Sequence, residues 1–137
     1  MNKQGQETEK TASNNTNIPT ILFLLLAYRS SMTIRQRYRL NTHHITVLIG
    51  CYFYSKQVND TFTISSIVSF VTSYNHNRIK RYINDLIGCG LITQAGMSGT
   101  KINKYTITQV GLNVINELSN KADQIIYDFC RKYNIEL

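Results

Sequence analysis

The stretch that decides the fold is residues 63–92, TISSIVSFVTSYNHNRIKRYINDLIGCGLI. In its first part, residues 63–71, aliphatic side chains recur three and four positions apart, which is the pattern of one apolar face of a short helix. Residues 72–75 interrupt this pattern, and Ser73 or Asn75 can cap a new helix by accepting a hydrogen bond from a free backbone N–H. The apolar spacing then resumes. The stretch therefore predicts two helices joined by a brief turn.

The second of these helices, residues 76–87, is predicted to have one apolar and one cationic face. The apolar face consists of Ile79, Ile83, Leu86 and Ile87. The outer face carries polar and basic side chains, namely His76, Asn77, Lys80, Arg81 and Asn84, with Arg78 beside them. The glycines at 88 and 90 end the helix, because glycine reaches the left-handed conformation without a Cβ clash.

A β-hairpin is predicted directly after the second helix. Residues 91–94 form a short strand, residues 95–100 a flexible tip with two glycines, and residues 102–108 a return strand in which apolar and polar side chains alternate. Two short helices followed by a hairpin are the winged helix-turn-helix pattern. The predicted fold class is therefore mainly α with a small β-hairpin wing, flanked by N- and C-terminal dimerisation helices.

Two segments resemble MarR-type transcriptional regulators. IKRYINDLIGCGLI (residues 79–92) is similar to the family's recognition helix and the strand after it, which end in L-x-x-x-G-L-I. That motif is matched by Leu86, Gly90, Leu91 and Ile92. After the hairpin, YTITQVG resembles the family's L-T-x-x-G start of the next helix through Ile107, Thr108 and Gly111. Upstream, LNTHHITVL is similar to the family's second helix, so the resemblance extends from about residue 40 to the C-terminus.

The wing departs from that family. Its members usually carry a D-x-R pair there, whereas AGMSGTKINK (residues 95–104) contains neither Asp nor Arg. This departure puts a minor-groove contact by the wing in doubt. The resemblance otherwise implies a dimeric regulator that binds double-stranded DNA, a repressor, with a small-molecule effector bound between the dimer helices and the DNA-binding lobe.

The distribution of charge agrees with a nucleic-acid partner. The chain has 137 residues, which predicts one domain, or one domain with appended helices. Lys and Arg outnumber Asp and Glu by 15 to 8. Residues 1–40 and residues 41–108 each carry a net charge of +4, and residues 109–137 carry −1. Because the excess positive charge coincides with the helix-turn-helix half, it favours DNA as the partner. Basic side chains that are merely solvated are the alternative.

The three cysteines predict a reducing compartment, which is the cytoplasm. Cys51, Cys89 and Cys130 are odd in number, far apart and without a C-x-x-C motif, so they do not form a disulfide framework. We interpret them as small buried hydrophobes, with oxidant sensing by Cys51 or Cys89 as an alternative. His44 and Cys51 can share a helical face, but no further ligands cluster with them. No metal and no cofactor is predicted.

The N-terminal part divides into a polar tail and an apolar helix. Residues 1–17 are polar and are predicted to be disordered. The apolar run IPTILFLLLA (residues 18–27) is too short to span a bilayer and is predicted to be a helix buried on several sides. It belongs to an N-terminal dimerisation segment, residues 18–39. Arginines between residues 28 and 40 either contact DNA phosphates or form a solvated connection.

The remaining chain comprises the DNA-binding core, residues 40–108, and a C-terminal dimerisation segment, residues 109–137. In the core, Asn41-Thr42 is predicted to cap a helix that runs to about Lys56. In the C-terminal segment, apolar side chains form an a/d-type seam, Ile115, Leu118, Ala122, Ile125 and Phe129. Residues 119–120 are expected to break or kink this segment into two helices. The seam is either a dimer interface or an internal packing face.

In the predicted mechanism, the second helix of the motif lies in the major groove. Asn77 and Arg78 suit adenine and guanine respectively, so Arg78→Ala is expected to relax base preference. Lys80 and Arg81 face bases or phosphates. Hydroxyl groups before the helix are expected to bind phosphates, and the wing lysines to lie along the backbone. The predicted DNA-binding residues are Ser65, Ser66, Thr72, Ser73, Tyr74, His76, Asn77, Arg78, Lys80, Arg81, Asn84, Lys101 and Lys104.

Three classes of function remain at this point, and none is an enzyme. The sequence lacks H-E-x-x-H, G-x-S-x-G and a Walker-type glycine loop. The first class is a dimeric transcriptional regulator. The second is a DNA-binding accessory protein of a mobile element, a replication or excision factor without an effector. The third is a winged helix that serves protein–protein contact. A pocket lined by Tyr and Phe at the dimer cleft would favour the first class over the second.

Overall fold

The computed structural model describes residues 28–97 and 101–136, and for Met97 the backbone alone. The described elements are α1 (Met32–Tyr38), α2 (Thr42–Gln57), α3 (Ile64–Val71), α4 (His76–Gly88), β1 (Ile92–Met97), β2 (Asn103–Ile107) and α5 (Gln109–Lys132). A mainly helical chain with one antiparallel hairpin confirms the predicted fold class. The predicted tail and the apolar helix at residues 18–27 lie outside the described residues.

The helices begin where side chains can accept free backbone N–H groups. The cap predicted at Asn41 is confirmed, since its side chain accepts from the backbone of His43 and His44. Asn75, rather than Ser73, caps α4 and accepts from the N–H of Arg78 at 2.9 Å. Such caps each contribute about 1 kcal/mol, and they fix where α2 and α4 start.

The core lies where α2, α3 and α4 meet the base of the hairpin. Its fully buried side chains, at 0 % exposure, include Val47, Leu48, Cys51, Ile67, Ile79, Ile83, Leu86 and Leu91. The apolar face predicted for the second helix of the motif is thus confirmed at Ile79, Ile83 and Leu86. Burial of these aliphatic side chains, at about 1.5–3 kcal/mol each, holds α4 with its opposite face towards solvent.

The hairpin is longer on its first strand than predicted. Strand β1 reaches Met97, beyond the expected end at Gln94, because the register shifts between Gln94 and Gly96 and pairing then continues to Asn103. Gly96 has a φ of +129°, which is open to glycine, so the irregularity is accommodated without a side-chain clash. The prediction of a flexible tip starting at residue 95 is therefore wrong for residues 95–97. Residues 98–100 lie outside the described residues.

A short backbone bridge joins the hairpin to the segment before α3. The N–H of Phe62 donates to the carbonyl of Tyr105 at 2.9 Å, and the N–H of Tyr105 donates to the carbonyl of Phe62 at 2.8 Å. Both rings are buried and their centroids lie 6.3 Å apart. The wing is therefore attached at its base to the helix-turn-helix.

The C-terminal segment corrects a second expectation, because α5 is one helix of 24 residues. Residues 119–120 lie in its interior and do not break it. Its start is fixed by Thr108, whose hydroxyl accepts from the N–H of Gly111 and donates to the carbonyl of Gly90 at 2.6 Å. A Cβ at Gly111 would collide with the Leu91 carbonyl, so the glycine of the predicted L-T-x-x-G match allows α5 to approach the backbone just before β1 closely. Among the described residues, no helix is long and apolar enough to cross a membrane.

Candidate nucleic-acid interface

The exposed face of α4 is polar and cationic. His76, Asn77, Lys80, Arg81 and Asn84 are all exposed. The structure therefore places these five side chains together on one surface, as the sequence indicated. An exposed basic face on the second helix of a helix-turn-helix is the geometry that inserts into the major groove.

The cations of this face are not neutralised by neighbouring carboxylates. Among the described residues, the ion pairs join Arg37 and Lys121 to Glu117, and His44 to Asp85. Lys80 and Arg81 take part in none of them. The positive charge of α4 is therefore available to an anionic partner.

Asp85, the one carboxylate of α4, points away from the basic face to His44. The Nδ1 of His44 accepts from the Asn41 backbone N–H at 3.1 Å, which leaves the ring proton on Nε2. Nε2 then donates to Asp85 at 2.8 Å. His44 lies 41 positions before Asp85 in the chain. Together the two side chains connect the start of α2 to α4.

Arg78 has a different environment from the cations of the exposed face. It is half-buried, and its Nη2 donates to the hydroxyl of Tyr82 at 2.8 Å. Its guanidinium carbon lies 4.9 Å from the centroid of the Tyr74 ring and 5.6 Å from that of Tyr82. The hydrogen bond from Arg78 is the main reason that the pKa of the Tyr82 phenol is lowered. The guanidinium of Arg81 also lies over Tyr82, at 5.5 Å.

Tyr82 is the residue that the sequence interpretation missed. It is 5 % exposed and lies among the rings of Tyr74, His43 and His44. The hydroxyl of Tyr74 in turn lies 2.9 Å from Nδ1 of His43. The spacing of four between Arg78 and Tyr82, which brings two side chains onto one side of a helix, was the signal available in the sequence.

The hydroxyl-bearing residues before α4 are placed unevenly. Ser65 is exposed, but Ser66 is half-buried and closes a capping box with Thr63, accepting from its N–H and donating to its carbonyl at 2.8 Å each. In the turn, Thr72 and Ser73 are exposed and both donate to the carbonyl of Val71. The turn residues therefore lie at the surface, whereas the hydroxyl of Ser66 is already engaged.

The turn and the wing each contain a residue in the left-handed region. Thr72 ends α3 with a φ of 66°, which is unusual for a β-branched residue. In the wing, Lys101 also has a φ of 66° and is exposed, whereas Lys104 on β2 is half-buried. The two wing lysines thus differ in how freely they can reach a nucleic acid.

The arginines of α1 are held by other parts of the chain. Both terminal nitrogens of Arg37 donate to the carboxylate of Glu117 on α5, at 2.9 Å each. Nε of Arg35 donates to the hydroxyl of Ser31 at 2.9 Å, and its guanidinium stacks on Tyr28. The sequence predicts that these arginines either contact DNA phosphates or form a solvated connection. The contacts show a third role, which is to attach α1 to α5 and to the residues before α1.

A cavity of about 530 Å³ lies between α2, α5 and the residues around the start of α1. Its aromatic lining comes from Tyr28, Tyr52 and Phe53. The other lining residues are aliphatic or small and polar, including Ile49, Asn116 and Ser119. A cavity of this volume accommodates a drug-sized molecule.

The cysteines are placed as packing residues. Burial raises the pKa of the Cys51 thiol, and burial followed by the nearby charge of Asp85 raises that of Cys89. A raised pKa disfavours the reactive thiolate, so these surroundings do not support oxidant sensing. Within the described ranges, no group of three His, Cys, Asp or Glu side chains is placed to hold a metal ion.

The elements and their arrangement define the winged helix-turn-helix class. No family model matches the chain, and no curated protein matches its sequence. Solved structures with this fold do match. RV1404 from Mycobacterium tuberculosis superposes with a TM-score of 0.70 at 10 % identity, over 90 % of this chain and 79 % of that one.

Further matches include structures described as MarR-family transcription regulators, such as one from Silicibacter pomeroyi, which confirms the resemblance at the level of the fold. A MepR variant from S. aureus, solved bound to an oligodeoxyribonucleotide, gives a TM-score of 0.66 at 11 % identity, over 88 % of this chain and 82 % of that one. BpsR from Bordetella bronchiseptica, whose DNA binding is regulated by 6-hydroxynicotinic acid, gives 0.52 at 18 % identity, over 78 % and 80 %.

Proposed function

We propose that this protein is a dimeric, MarR-like transcriptional regulator that binds double-stranded DNA sequence-specifically, and that it acts as a repressor in the cytoplasm. The observation that carries this proposal is the cationic face of α4. Lys80 and Arg81 are exposed on the second helix of the motif, and no carboxylate neutralises them among the described residues. The fold supports the same reading, since MepR was solved with DNA bound.

The contacts are assigned from where the structure places the predicted residues. Asn77 and Asn84 face the bases, and Lys80 and Arg81 face the bases or the neighbouring phosphates, since all four share the outer face of α4. The backbone contacts fall to the turn and the wing, through Ser65, Thr72, Ser73, Tyr74, Lys101 and Lys104, with His76 at the start of α4. Ser66 joins this set only if its capping box opens.

A two-fold dimer is supported by α5. The first part of its apolar seam is buried within the chain, at Ile115 and Leu118, whereas Ile125 and Phe129 are only half-buried. An apolar stripe that its own chain covers incompletely is suited to the same stripe of a second copy. Two copies would present two α4 helices to an inverted repeat, with half-sites about one DNA turn apart.

The cavity favours a regulator with an effector over a mobile-element factor without one. It is lined by Tyr28, Tyr52 and Phe53 and has a volume suited to a small molecule. The effector of BpsR, 6-hydroxynicotinic acid, shows that a protein of this fold can respond to an aromatic compound. We therefore place the effector site in this cavity, next to α2.

Selection of bound duplexes from a random DNA pool tests the proposal, with gel shifts in rising salt as its companion. We expect an inverted repeat and an affinity that falls steeply with salt, because bound phosphates release counterions. Recovery of unrelated sequences with weak, salt-insensitive binding would instead support the third class, a winged helix used for protein contact. Sedimentation of the free protein measures the dimer separately.

A further inference from the structure

We propose that Arg78 is a phosphate anchor held in place by an aromatic clamp, and that it contacts the DNA backbone in the same way on every sequence. This inference rests on the proposed function and assigns Arg78 a role different from the guanine contact expected from its position in the sequence. The clamp consists of Tyr74 and Tyr82, with His43 behind them. Base reading then falls to the exposed side chains of α4, Asn77 above all.

The first argument is where the guanidinium lies. An arginine that reads guanine extends away from the helix towards the bases. The guanidinium of Arg78 instead turns back along its own helix to the hydroxyl of Tyr82, four residues later, at 2.8 Å. Its carbon also lies 4.9 Å from the ring of Tyr74, in the turn that precedes α4. Arg78 thus occupies the flank of α4, and the flanks of a helix in the major groove face the sugar–phosphate walls.

The second argument is that the charge of Arg78 is unpaired while its position is fixed. No ion pair joins Arg78 to a carboxylate among the described residues. The hydrogen bond to Tyr82 uses one of several N–H donors, so donors remain for an anion. Contacts between a guanidinium and aromatic faces leave its charge intact. The result is a cation that is oriented before DNA arrives, which lowers the entropy cost of the contact.

The third argument is that the clamp is itself fixed. Tyr82 is 5 % exposed, stacks on His43 at an interplanar angle of 16°, and meets His44 edge-on at 5.0 Å. The hydroxyl of Tyr74 lies 2.9 Å from His43. Both histidines belong to the first turn of α2, so the clamp connects Arg78 to the core and to a second helix.

The test compares Arg78→Ala with Asn77→Ala, its neighbour on α4 and an exposed side chain. Each variant is titrated with the duplex selected for the wild-type protein and with a duplex of the same composition in shuffled order, across a range of salt concentrations. We expect Arg78→Ala to weaken binding about tenfold on both duplexes. The salt slope should fall by about 1, because one phosphate contact is lost. Asn77→Ala should weaken binding to the selected duplex alone and leave the slope unchanged.

Two further variants separate the clamp from the charge. Tyr82→Phe keeps the ring and removes the hydroxyl, so we expect equal, smaller losses on both duplexes with an unchanged salt slope. Arg78→Lys keeps the charge without the planar stack, so it should retain the slope and lose part of the affinity. Thermal melting identifies any variant that fails to fold. If Arg78→Ala fails to fold, Tyr82→Phe and Arg78→Lys are compared with the wild-type protein instead.

Three results would overturn the assignment. A loss by Arg78→Ala confined to the selected duplex would make Arg78 a base reader. Unchanged binding of both duplexes by Arg78→Ala would mean that Arg78 only stabilises the turn before α4. Failure of the wild-type protein to bind any duplex would overturn the proposed function together with this assignment, whereas the first two results leave the proposed function standing.

Discussion

Helices α1 and α4 both carry arginines, and the segments that contain them have equal net charges of +4, yet the surroundings of those charges differ. On α1, Arg37 makes two hydrogen bonds to Glu117, and Arg35 is held by Ser31 and Tyr28. On α4, Lys80 and Arg81 face solvent without a carboxylate partner among the described residues. The comparison shows that the count of basic residues does not locate an interface, because the Glu117 carboxylate neutralises Arg37, whereas Lys80 and Arg81 have no such partner among the described residues.

The largest effect on DNA binding is expected from removing the two exposed cations of α4, and the smallest from removing the two arginines of α1. We expect Lys80→Ala/Arg81→Ala to lower DNA affinity on the order of 100-fold and to lower the salt slope by about 2, since two phosphate-neutralising charges are lost. The matched double variant Arg35→Ala/Arg37→Ala should leave the slope unchanged. Titrations of one duplex at several salt concentrations measure both. Equal slopes for the two double variants would contradict the distinction.

The contact between His44 and Asp85 should matter to both stability and binding. We expect His44→Ala to lower the free energy of unfolding by about 1–3 kcal/mol, because it removes a buried hydrogen-bonding side chain. It also frees Asp85, which can then pair with Arg81 four positions earlier on α4. DNA affinity should therefore fall about twofold, as expected for a weak pair at this spacing.

The variant Asp85→Asn supplies the control for that effect. In its background, His44→Ala should no longer change DNA affinity, because no carboxylate remains to pair with Arg81. Urea unfolding and duplex titration of the wild type, the two single variants and the double variant complete this double-mutant cycle. A twofold loss that persists in the Asp85→Asn background would show that His44 acts on DNA binding by another route.

Two helices, α1 and α3, end at a non-glycine residue in the left-handed conformation, Arg39 and Thr72, with φ values of 58° and 66°. Thr72→Gly should raise the free energy of unfolding by about 0.5–1 kcal/mol, because glycine adopts this conformation without a Cβ clash. Arg39→Gly should raise it less, since an unbranched side chain is less strained there. Chemical unfolding measures both, and a destabilised Thr72→Gly protein would show that the side chain of Thr72 is needed in the turn.

The smallest effect is expected at the ion pair of α1 with α5. The hydrogen bond from Arg37 holds the pKa of the Glu117 carboxyl below its ordinary value. A depressed carboxyl pKa contributes stability above the unfolded-state value of about 4.3, and this contribution is lost as the pH falls through the lower folded value. Glu117→Gln should therefore be slightly less stable than the wild type at neutral pH and equal to it in acid.

Unfolding of Glu117→Gln across the pH range checks this expectation. Asp123→Asn on the same helix is the matched control, since Asp123 is exposed and takes part in no ion pair among the described residues. A stability difference for Glu117→Gln that persists unchanged in acid would mean that the charge of Glu117 is not its source.

The sequence was sufficient for the elements that local rules determine. The spacing of Ile79, Ile83 and Leu86 predicted the buried face of α4, and its start was predicted at a cap by Ser73 or Asn75, of which Asn75 is observed. Residues 119–120 misled the prediction because their weak preference against helix is small compared with the packing of α5 on its neighbours.

The clamp around Arg78 could not be predicted in the same way. The spacing places Ile83 on the buried face, but it does not by itself place the adjoining Tyr82 there. Its burial depends on His43 and His44, which pack against it from the first turn of α2. Contacts between segments so distant in the chain have no local sequence signal, and the same holds for the pairing of Glu117 with Arg37.

The backbone bridge between Phe62 and Tyr105 has a consequence for which duplexes can be accommodated. It attaches the base of the hairpin to the segment before α3, so the protein constrains the separation between a helix in one groove and a wing over the next. A duplex that differs from this spacing must itself bend or change its groove width, which costs of order 1–6 kcal/mol depending on its stiffness. Flexible base steps at positions that no side chain touches would then contribute to selectivity, even with a wing that lacks aspartate and arginine.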